Sequence, residues 1–341
     1  MIKYLSQINI KKLKDKTCLL RLDFNTEDAW RLEACLPTIQ FLLKNCKKIV
    51  ILGHKGRPEN QELSLSLKPV TETLNKITKK QVIFIPHFRF SEIKKEIDLA
   101  PLKSIILLEN LRFLKGENKN SLSLAKSLAS LGNIYINDAF AVSHRANASI
   151  CTITKFIKSY AGLELEKEIK SLQKAIKNPV KPLVIIIGGG KIKDKLKIYK
   201  SLKNKSSAFL VAGAVNDKML VQKIPKVYFP IDAIRENGVI RDIGSKTIDL
   251  FKEKISTAKT IIWNGPLGII EKNEFQKGTL EIAKSVINNK QAHKIIGGGE
   301  IISFLKKNKL DKKISASSTG VGAMLEFLAG KIMPGIKALN G

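Results

Sequence analysis

The sequence lacks cysteine pairs and long apolar runs, and both absences narrow the class of protein. Four cysteines occur among 341 residues, and none forms a Cys-x-x-Cys pair or stands at a metal-ligand spacing. A disulfide framework and a structural zinc site are therefore not expected. No apolar run approaches the roughly 18 residues of a membrane span, and residues 1–12 lack the apolar core of a signal peptide. We therefore expect a cytoplasmic protein without a membrane partner.

Acidic and aromatic residues are also scarce. Asp and Glu number 30 against 60 Lys and Arg, which gives a formal net charge of +30, and aromatic residues make up 6% of the chain. Such an excess of positive charge can indicate a nucleic-acid or anionic-membrane partner. The lysines, however, are spread along the chain with few aromatic residues between them, unlike a base-stacking surface. We interpret the charge as a lysine-rich solvated surface and expect no dedicated nucleic-acid site.

Short β-branched runs alternate with segments of helical spacing in two successive series. At 341 residues the chain exceeds the usual size of one core, so two domains are expected. Alternating strands and helices predict an α/β fold of two doubly wound parallel-sheet (Rossmann-like) domains. The predicted strands of the first series are Cys18–Phe24, Lys48–Leu52, Val82–Ile85, Ser104–Leu108 and Asn133–Ile136. Those of the second series are Leu183–Ile187, Ala208–Ala212, Lys226–Phe229, Thr260–Trp263, Lys294–Ile296 and Lys313–Ala316.

A charged amphipathic segment, GLELEKEIKSLQKAIK, separates the two series. Its apolar residues recur at helical spacing, and Asn178 and Pro179 end the pattern. We therefore predict a hinge helix that joins the two domains. Ligand sites between domains joined in this way are common, and such helices act as levers.

Arginine and histidine are concentrated in the loops that follow the predicted strands of the first half. In open α/β sheets, ligands lie outside the carboxyl ends of the strands, so these are candidate binding loops. Guanidinium groups bind phosphate and carboxylate in bidentate geometry, which suits a small acid that carries both. Asp23 and Asn25 can hydrogen-bond hydroxyls or hold an arginine, and Asp138 is expected to orient Arg145 or to cap a helix. The basic side chains are Arg31, His54, Arg57, Arg112, His144 and Arg145.

Glycine replaces arginine in the corresponding loops of the second half. These loops read GGGKIKDK, AGAVND, WNGPLGIIE, GGGE and STGVGA. Glycine lets backbone N–H groups approach anionic oxygens, and a following helix adds the positive field of its N-terminus. The loops therefore indicate a nucleotide-phosphate site. No GxGxxG follows the first strand of either domain, which disfavours a nicotinamide-dependent dehydrogenase, and GxxxxGKS and GxxxxGKT are absent as well.

Several of these segments together resemble one known family. The strings are RLDFN, RLEACLPTI, GHKGRP, LLENLRF, NDAFAVSHRANAS, GGGKIKDK, WNGPLGIIE, IGGGE and STGVGAMLEFLAGK. In this order, and over essentially the whole chain, they are similar to phosphoglycerate kinases. The resemblance implies a monomeric hinge-bending enzyme that transfers a phosphoryl group between 1,3-bisphosphoglycerate and Mg-ADP, giving 3-phosphoglycerate and Mg-ATP. It implies a 3-phosphoglycerate domain at 1–166, a Mg-nucleotide domain at 167–329, and a segment 330–341 that packs back on the first domain.

The resemblance also implies a role for individual residues at matching positions. The implied substrate-binding residues are Asp23, Phe24, Asn25, Arg31, His54, Arg57, Arg112 and Arg145. The implied nucleotide-binding residues are Lys191, Lys195, Gly213, Asn264, Glu271, Gly297, Gly298, Gly299, Glu300 and Ile301, with Glu300 as the Mg²⁺ ligand. The implied catalytic residues are Arg31, Lys191, Gly298 and Gly320.

The reaction that the resemblance implies needs charge neutralisation and no general base. The nucleophile is a phosphate oxygen of ADP in one direction and a carboxylate in the other, and both are ionised at neutral pH. Catalysis must then come from positioning and from stabilising a loose, anionic transition state. Acceptor and donor are expected on different domains, so closure would bring them together and exclude water.

The chain departs from the family pattern in the nucleotide loops. Glu300 and Ile301 stand where the family has aspartate and threonine, and Val321 replaces a glycine. Ala212 and Ala214 flank Gly213 where the family has a glycine triplet. The alternative hypothesis is therefore a weakened or non-catalytic homologue that binds acidic metabolites or nucleic acid. We favour an active enzyme, because Lys191, Lys195 and Glu271 are all present.

Overall fold

The computed structural model describes residues 1–25, 30–190, 197–215, 217–220 and 222–340. The chain forms two compact units. Unit 1 comprises Met1–Lys167 and Ile332–Gly341, and unit 2 comprises Glu168–Lys331. The change from unit 1 to unit 2 falls within the helix Leu163–Lys177, in the segment for which a hinge helix is predicted. None of the helices in the described ranges has the length and apolarity that a bilayer crossing requires.

Unit 1 contains a parallel sheet. Its strands are β1 (Thr17–Arg21), β2 (Lys48–Leu52), β3 (Val82–Ile85), β4 (Ile105–Leu108), β5 (Ile134–Asn137) and β6 (Lys158–Ala161). They pair in the order β3-β4-β2-β1-β5-β6, and each pairing is parallel. Every residue of β1 and of β2 is buried, as expected for parallel strands with helices on both faces.

Successive residues of the central strands contribute to two separate cores. Cys18 and Leu20 belong to one apolar cluster, and Leu19 belongs to the other, together with Val50 of the neighbouring strand. Because successive side chains of a strand point to opposite faces, the sheet carries a core on each side. The predicted doubly wound α/β arrangement is therefore confirmed for unit 1.

Helices cover both faces of this sheet and position the loops at its carboxyl edge. Asp138 Oδ1 accepts a hydrogen bond from Leu165 N at 2.9 Å and so caps the N-terminus of the helix Leu163–Lys177. Of the two roles expected for Asp138, the structure supports the helix cap. The described α-helices that lie wholly in unit 1 are Trp30–Asn45, Val70–Thr78, Phe90–Leu99, Lys115–Asn118, Leu122–Ala129 and Pro334–Lys337.

Unit 2 repeats this plan and adds a hairpin. Its strands are β7 (Leu183–Ile187), β8 (Ala208–Val211), β9 (Val227–Tyr228), β10 (Ala233–Glu236), β11 (Val239–Ile243), β12 (Thr260–Asn264), β13 (His293–Gly297) and β14 (Ala316–Ser318). The parallel sheet has the order β14-β13-β12-β7-β8-β9, and β10 pairs with β11 in antiparallel orientation. The described helices of unit 2 are Lys197–Leu202, Asp217–Leu220, Ser245–Ser256, Lys277–Asn288, Gly299–Lys307 and Val321–Leu328.

The sequence-based strand assignments need four corrections. The prediction of a strand at Cys18–Phe24 is wrong at its end, because β1 ends at Arg21. The strand β6 and the hairpin β10–β11 are not among the predicted strands. The prediction of a strand at Lys313–Ala316 is wrong at its start, because Asp311–Lys313 forms a 3-10 turn and the strand begins at Ala316.

Candidate active site

A buried ion pair lies at the carboxyl edge of the unit 1 sheet. Arg21, the last residue of β1, is 1% exposed. Its Nη2 lies 3.8 Å from Glu117 Oε1, and its Nε donates to Ser149 Oγ at 2.8 Å. Glu117 accepts hydrogen bonds from the Ser149 hydroxyl at 2.6 Å and from the Ser149 backbone N at 3.0 Å. Because a buried charge is costly without partners, these contacts hold the Arg21 guanidinium in one position.

His54, in the loop after β2, is a neutral hydrogen-bond donor at this edge. Its Nδ1 lies 3.1 Å from Arg21 Nη2, and because arginine only donates, the ring proton is on Nε2. Burial, followed by the charges of Arg21, Arg112 and Arg145, lowers the pKa of His54 well below its ordinary value. The Nε2 atom is buried and has no hydrogen-bond partner among the described residues. The imidazole therefore has one unused N–H to offer to a ligand.

Three predicted substrate-binding residues, from the loop after β1 and from the helix that follows it, are linked through Asp23. Asp23 Oδ2 lies 3.4 Å from Arg31 Nη1, and Asp23 Oδ1 accepts from the backbone N of Asn25 at 3.1 Å. Asn25 Oδ1 accepts from Gly56 N at 2.9 Å, which joins the loops that follow β1 and β2. Arg31 lies in the first turn of the helix Trp30–Asn45. Asp23 thus orients Arg31 while a hydrogen bond fixes the loop.

Arg112 and Arg145 add positive charge from the loops after β4 and β5. Arg112 donates from Nη1 to Gly56 O, and its backbone N donates to Asn110 Oδ1 at 3.1 Å. Burial, and then the charges of Arg145 and Arg21, lower the pKa of Arg112 to about 10. The arginines therefore lie close enough to repel each other, and the nearby acids compensate only in part. Several guanidinium groups around a buried N–H donor are suited to an anionic ligand.

Two predicted substrate-binding residues stand apart from this cluster. The Phe24 side chain is 2% exposed and packs on Gly53, where an added Cβ would lie 2.1 Å from the Phe24 ring. Only the backbone of Phe24 is therefore available to a ligand. Arg57 is exposed and has no hydrogen bond or ion pair with any residue that the structure describes.

Unit 2 contains a cavity of about 390 Å³ at the loops that follow β7, β8 and β12. Three predicted nucleotide-binding residues line it, namely Gly213, Glu271 and Glu300. Ala214, one of the two alanines that flank Gly213, also lines the cavity. The predicted residues Lys191 and Lys195 lie outside the described residues. A cavity of this volume is in the range of small-molecule sites.

Glycine is required by the backbone at one side of the cavity. Gly189 and Gly213 have φ angles of 71° and 86°, which disfavour other residues. A Cβ on Gly188 would lie 2.1 Å from Pro266 O, and a Cβ on Gly213 would lie 2.4 Å from Gly189 N. The glycines therefore allow the loops after β7, β8 and β12 to pack directly on each other.

The ends of β12 and β13 meet beside the cavity. Asn264 Nδ2 donates to Gly297 O at 3.1 Å, whereas its buried Oδ1 has no hydrogen-bond partner among the described residues. Gly298 has a φ of 122° and precedes the helix Gly299–Lys307. Ile301 is fully buried, so only its backbone N–H is available to a ligand. The backbone at Gly298, Gly299 and Ile301 thus presents the N-terminus of this nine-residue helix to the region.

The loop that contains Gly320 is held by a residue that the sequence did not single out. Glu168 is buried, and its carboxylate accepts from Ser318 Oγ and Thr319 Oγ1, both at 2.6 Å, and from Thr319 N at 3.1 Å. Gly320 precedes the helix Val321–Leu328. Glu168 belongs to a run of alternating charges that is typical of a solvated helix face, so no sequence signal distinguished it.

The donor set fits a Mg²⁺ ion that arrives with a nucleotide. Glu300 is exposed in the first turn of the helix Gly299–Lys307 and lines the cavity. No group of three His, Cys, Asp or Glu side chains that could hold a metal occurs among the described residues. Mg²⁺ commonly uses one or two carboxylates together with substrate phosphates and water, so a single glutamate suffices.

These features define an α/β protein of two units, with a cationic anion site in one unit and a glycine-lined cavity in the other. A family model described as phosphoglycerate kinase matches residues 8–227 and 215–331. The chain belongs to the phosphoglycerate kinase family. The family, the α/β fold class and the phosphotransferase function predicted from the sequence are therefore confirmed, and the comparisons give no support to a non-catalytic homologue.

Individual relatives extend over nearly the whole chain. A phosphoglycerate kinase from Thermosipho africanus is 37% identical and the match covers 96% of each chain. The solved structure of phosphoglycerate kinase from Coxiella burnetii has a TM-score of 0.81 at 31% identity, with 99% of each chain covered. The crystal structure of the enzyme from Pyrococcus horikoshii has a TM-score of 0.86 at 26% identity and covers 99% of this chain and 98% of that one.

Proposed function

We propose that the chain phosphorylates the carboxylate of 3-phosphoglycerate with Mg-ATP, and catalyses the reverse reaction, through the two sites described above. The observation that carries the proposal is the cluster of Arg21, Arg112 and Arg145 around the neutral ring of His54. Guanidinium groups bind phosphate and carboxylate in bidentate geometry, so a small acid that carries both suits this cluster. The unused Nε2–H of His54 supplies a further donor.

The proposed catalytic work is neutralisation of charge on the transferred phosphoryl group. Neither a carboxylate nor a phosphate oxygen needs deprotonation before attack, so no side chain is assigned as a general base. Arg31, Lys191 and the backbone N–H groups at Gly298 and Gly320 are proposed to bind this group. Bending at the hinge helix would bring the two substrates in line and exclude water.

The remaining elements of the proposal concern the metal, the unit assignments and the setting. Glu300 would hold a Mg²⁺ ion that neutralises nucleotide phosphate charge. Unit 1 is proposed to bind 3-phosphoglycerate and unit 2 to bind the nucleotide, with Lys195, Asn264 and Glu271 contributing. We also propose that the enzyme works as a monomer in the cytoplasm, with small-molecule substrates and no nucleic-acid or membrane partner.

A coupled assay of ATP-dependent 3-phosphoglycerate phosphorylation tests this proposal. We expect magnesium-dependent turnover by the purified chain, and a loss in kcat of about 10²- to 10³-fold in Arg31→Ala and in Lys191→Ala, because each removes a cation at the transferred group. The matched control is Lys94→Ala, which removes an exposed lysine paired with Asp98 at 3.0 Å and should change kcat little. Absence of turnover in the wild type, or full activity in both variants, would contradict the proposal.

A further inference from the structure

An arginine lines the nucleotide cavity of unit 2. Arg241, in β11, is the one cationic side chain among the described residues that line this cavity. The lining residues nearest to Arg241 in the sequence, Val239 and Ile240, are apolar. The acids Glu271 and Glu300 also line the cavity. A cation in a nucleotide cavity can serve the phosphates or the base, and its position along the cavity distinguishes these roles.

Contacts along the segment 265–269 show the order in which the loops lie along the cavity. The Cβ position of Gly298 lies 3.5 Å from Gly265 N, and Gly189 N donates to Pro266 O. The loop after β8 comes next, because Gly213 N donates to Leu267 O at 3.1 Å. Arg241 is attached furthest along, since Ile269 N donates to its carbonyl oxygen at 2.9 Å.

This order places Arg241 away from the phosphate-binding features. Gly298 and Gly189 mark the phosphate end, since one begins the helix that carries Glu300 and the other lies in the glycine loop after β7. The segment bends at Gly265, Leu267 and Gly268, but the contact with Arg241 is made at Ile269, three residues beyond the contact of Pro266 with the glycine loop after β7. With the phosphates at Gly189, Arg241 is therefore at the end of the cavity where the base would lie.

The Arg241 guanidinium is oriented by a neighbouring acid and retains free donors. Its Nε lies 3.1 Å from Glu236 Oε2, and Glu236 Oε1 accepts from Lys272 Nζ at 2.8 Å. Nε is buried and faces Glu236, so this carboxylate fixes the orientation of the guanidinium. The hydrogen bond from Lys272, with the charges of Lys272 and Arg241, lowers the pKa of Glu236, which keeps this carboxylate ionised. Glu236 thus holds Arg241 at Nε, and the Nη1 and Nη2 groups carry the donors that remain for a ligand.

A guanidinium at the base end discriminates between purines. Arginine has N–H donors and no acceptor, and guanine presents two adjacent acceptors, O6 and N7, in bidentate geometry. Adenine presents one acceptor, N7, beside the N6 amino group, which is itself a donor. We propose that Arg241 selects 6-oxopurine nucleotides, so that the enzyme uses GTP and GDP in preference to ATP and ADP. This inference rests on the proposed function.

The experiment compares kcat/KM for GTP and ATP in the 3-phosphoglycerate assay. We expect a wild-type preference for GTP that falls by roughly tenfold to a hundredfold in Arg241→Leu, because the bidentate pair is lost. The matched control, Arg235→Leu, removes an arginine from the neighbouring strand that is absent from the cavity lining, and should leave the preference unchanged. ITP, which keeps O6 and N7, should behave like GTP, and 7-deaza-GTP should lose part of the advantage.

Nucleotide binding, measured by calorimetry with GDP and ADP, separates this inference from the proposed function. If neither nucleotide supports turnover but GDP binds more tightly than ADP in an Arg241-dependent manner, the proposed function fails and the inference stands. A preference for adenine nucleotides, or a guanine preference that Arg241→Leu leaves intact, would overturn the inference whatever the turnover.

Discussion

The carboxyl edge of the unit 1 sheet carries charged side chains held by other buried side chains, whereas the loops at the carboxyl edge of the unit 2 sheet are held largely by backbone contacts. In unit 1, Arg21 depends on Glu117 and Ser149 for its position, and His54 depends on Arg21 for its tautomer. In unit 2, Gly188, Gly189 and Gly213 allow loops to pack backbone against backbone. The first arrangement is sensitive to the loss of a charge, and the second is sensitive to the addition of a single methyl group.

The largest expected effect comes from a substitution that breaks the buried charge network of unit 1. Glu117→Gln leaves Arg21 buried without a counter-charge, so the free energy of unfolding of unit 1 should fall by about 3–5 kcal/mol. Urea unfolding followed by Trp30 fluorescence in a Trp263→Phe background measures this, because Trp30 then reports unit 1 alone.

The control for this change is an exposed acid. Glu92→Gln disrupts a surface pair with Arg89, at 2.6 Å, and should cost no more than about 1 kcal/mol. The double variant Arg21→Met, Glu117→Leu should recover part of the loss, since it removes both charges. Equal losses of unfolding free energy in Glu117→Gln and Glu92→Gln would show that the buried pair contributes no more to stability than the surface pair.

The next largest effect concerns the pH dependence of stability in the two units. Each unit buries an acid at the start of a helix, namely Asp138 in unit 1 and Asp242 in unit 2. Burial raises the pKa of Asp138 to about 7 and that of Asp242 to about 6, although backbone N–H groups of Leu165 and Gly278 donate to them. A carboxyl group with a raised pKa in the folded state holds its proton there while the unfolded chain loses it. Its stabilising contribution is therefore complete below about pH 4 and is lost as the pH rises to the folded-state value.

Replacement by asparagine should remove this dependence. Between pH 4 and pH 7, the unfolding free energy of the wild type should fall relative to that of Asp138→Asn by at most about 4 kcal/mol. For Asp242→Asn the change should end near pH 6 and be smaller. Urea unfolding at several pH values measures both, with the exposed Asp98→Asn as control. A difference that does not vary with pH would contradict the assignment.

The smallest expected effect concerns the glycine loop of unit 2. Gly188→Ala would place a Cβ 2.1 Å from Pro266 O, whereas a Cβ on Gly190 would meet nothing within 4 Å. Gly188→Ala should therefore destabilise unit 2 by about 1–3 kcal/mol, and Gly190→Ala should change little. Trp263 fluorescence in a Trp30→Phe background reports unit 2 during unfolding. A larger loss in Gly190→Ala than in Gly188→Ala would show that the loop does not pack as described.

The strands that were predictable from the sequence are those with continuous apolar runs. Lys48–Leu52 and Leu183–Ile187 have the predicted bounds, because strands buried on both faces are almost wholly apolar. Val82–Ile85 also has the predicted bounds, although this edge strand exposes Ile83. The strand β6, KSYA, begins exposed and has no such run. The hairpin β10–β11 did carry a signal, since Asn237 and Gly238 form a two-residue turn with positive φ at both positions.

Individual site residues were predictable where a loop carries an unusual residue type. Arg112 and Arg145 could be singled out because arginine is conspicuous after a strand, and their proximity follows from the parallel sheet. Arg21 and Glu117 were not singled out, because one ends a strand and the other lies in a helical turn far along the chain. Their pairing depends on the strand order, which residue type alone does not reveal. Arg241 escaped notice because its hairpin was not predicted.

The segment 265–269 has a consequence for how this protein tolerates change. Gly265 lies beside Gly298, and Pro266, Leu267 and Ile269 are joined by backbone hydrogen bonds to Gly189, Gly213 and Arg241. The two glycines of the segment are constrained as well, because Gly265 has a φ of 82° and a Cβ on Gly268 would lie 2.4 Å from Asp242 Oδ1. An insertion or deletion of one residue would shift every later attachment by a full residue, so the length of this segment and its glycines must be inherited together.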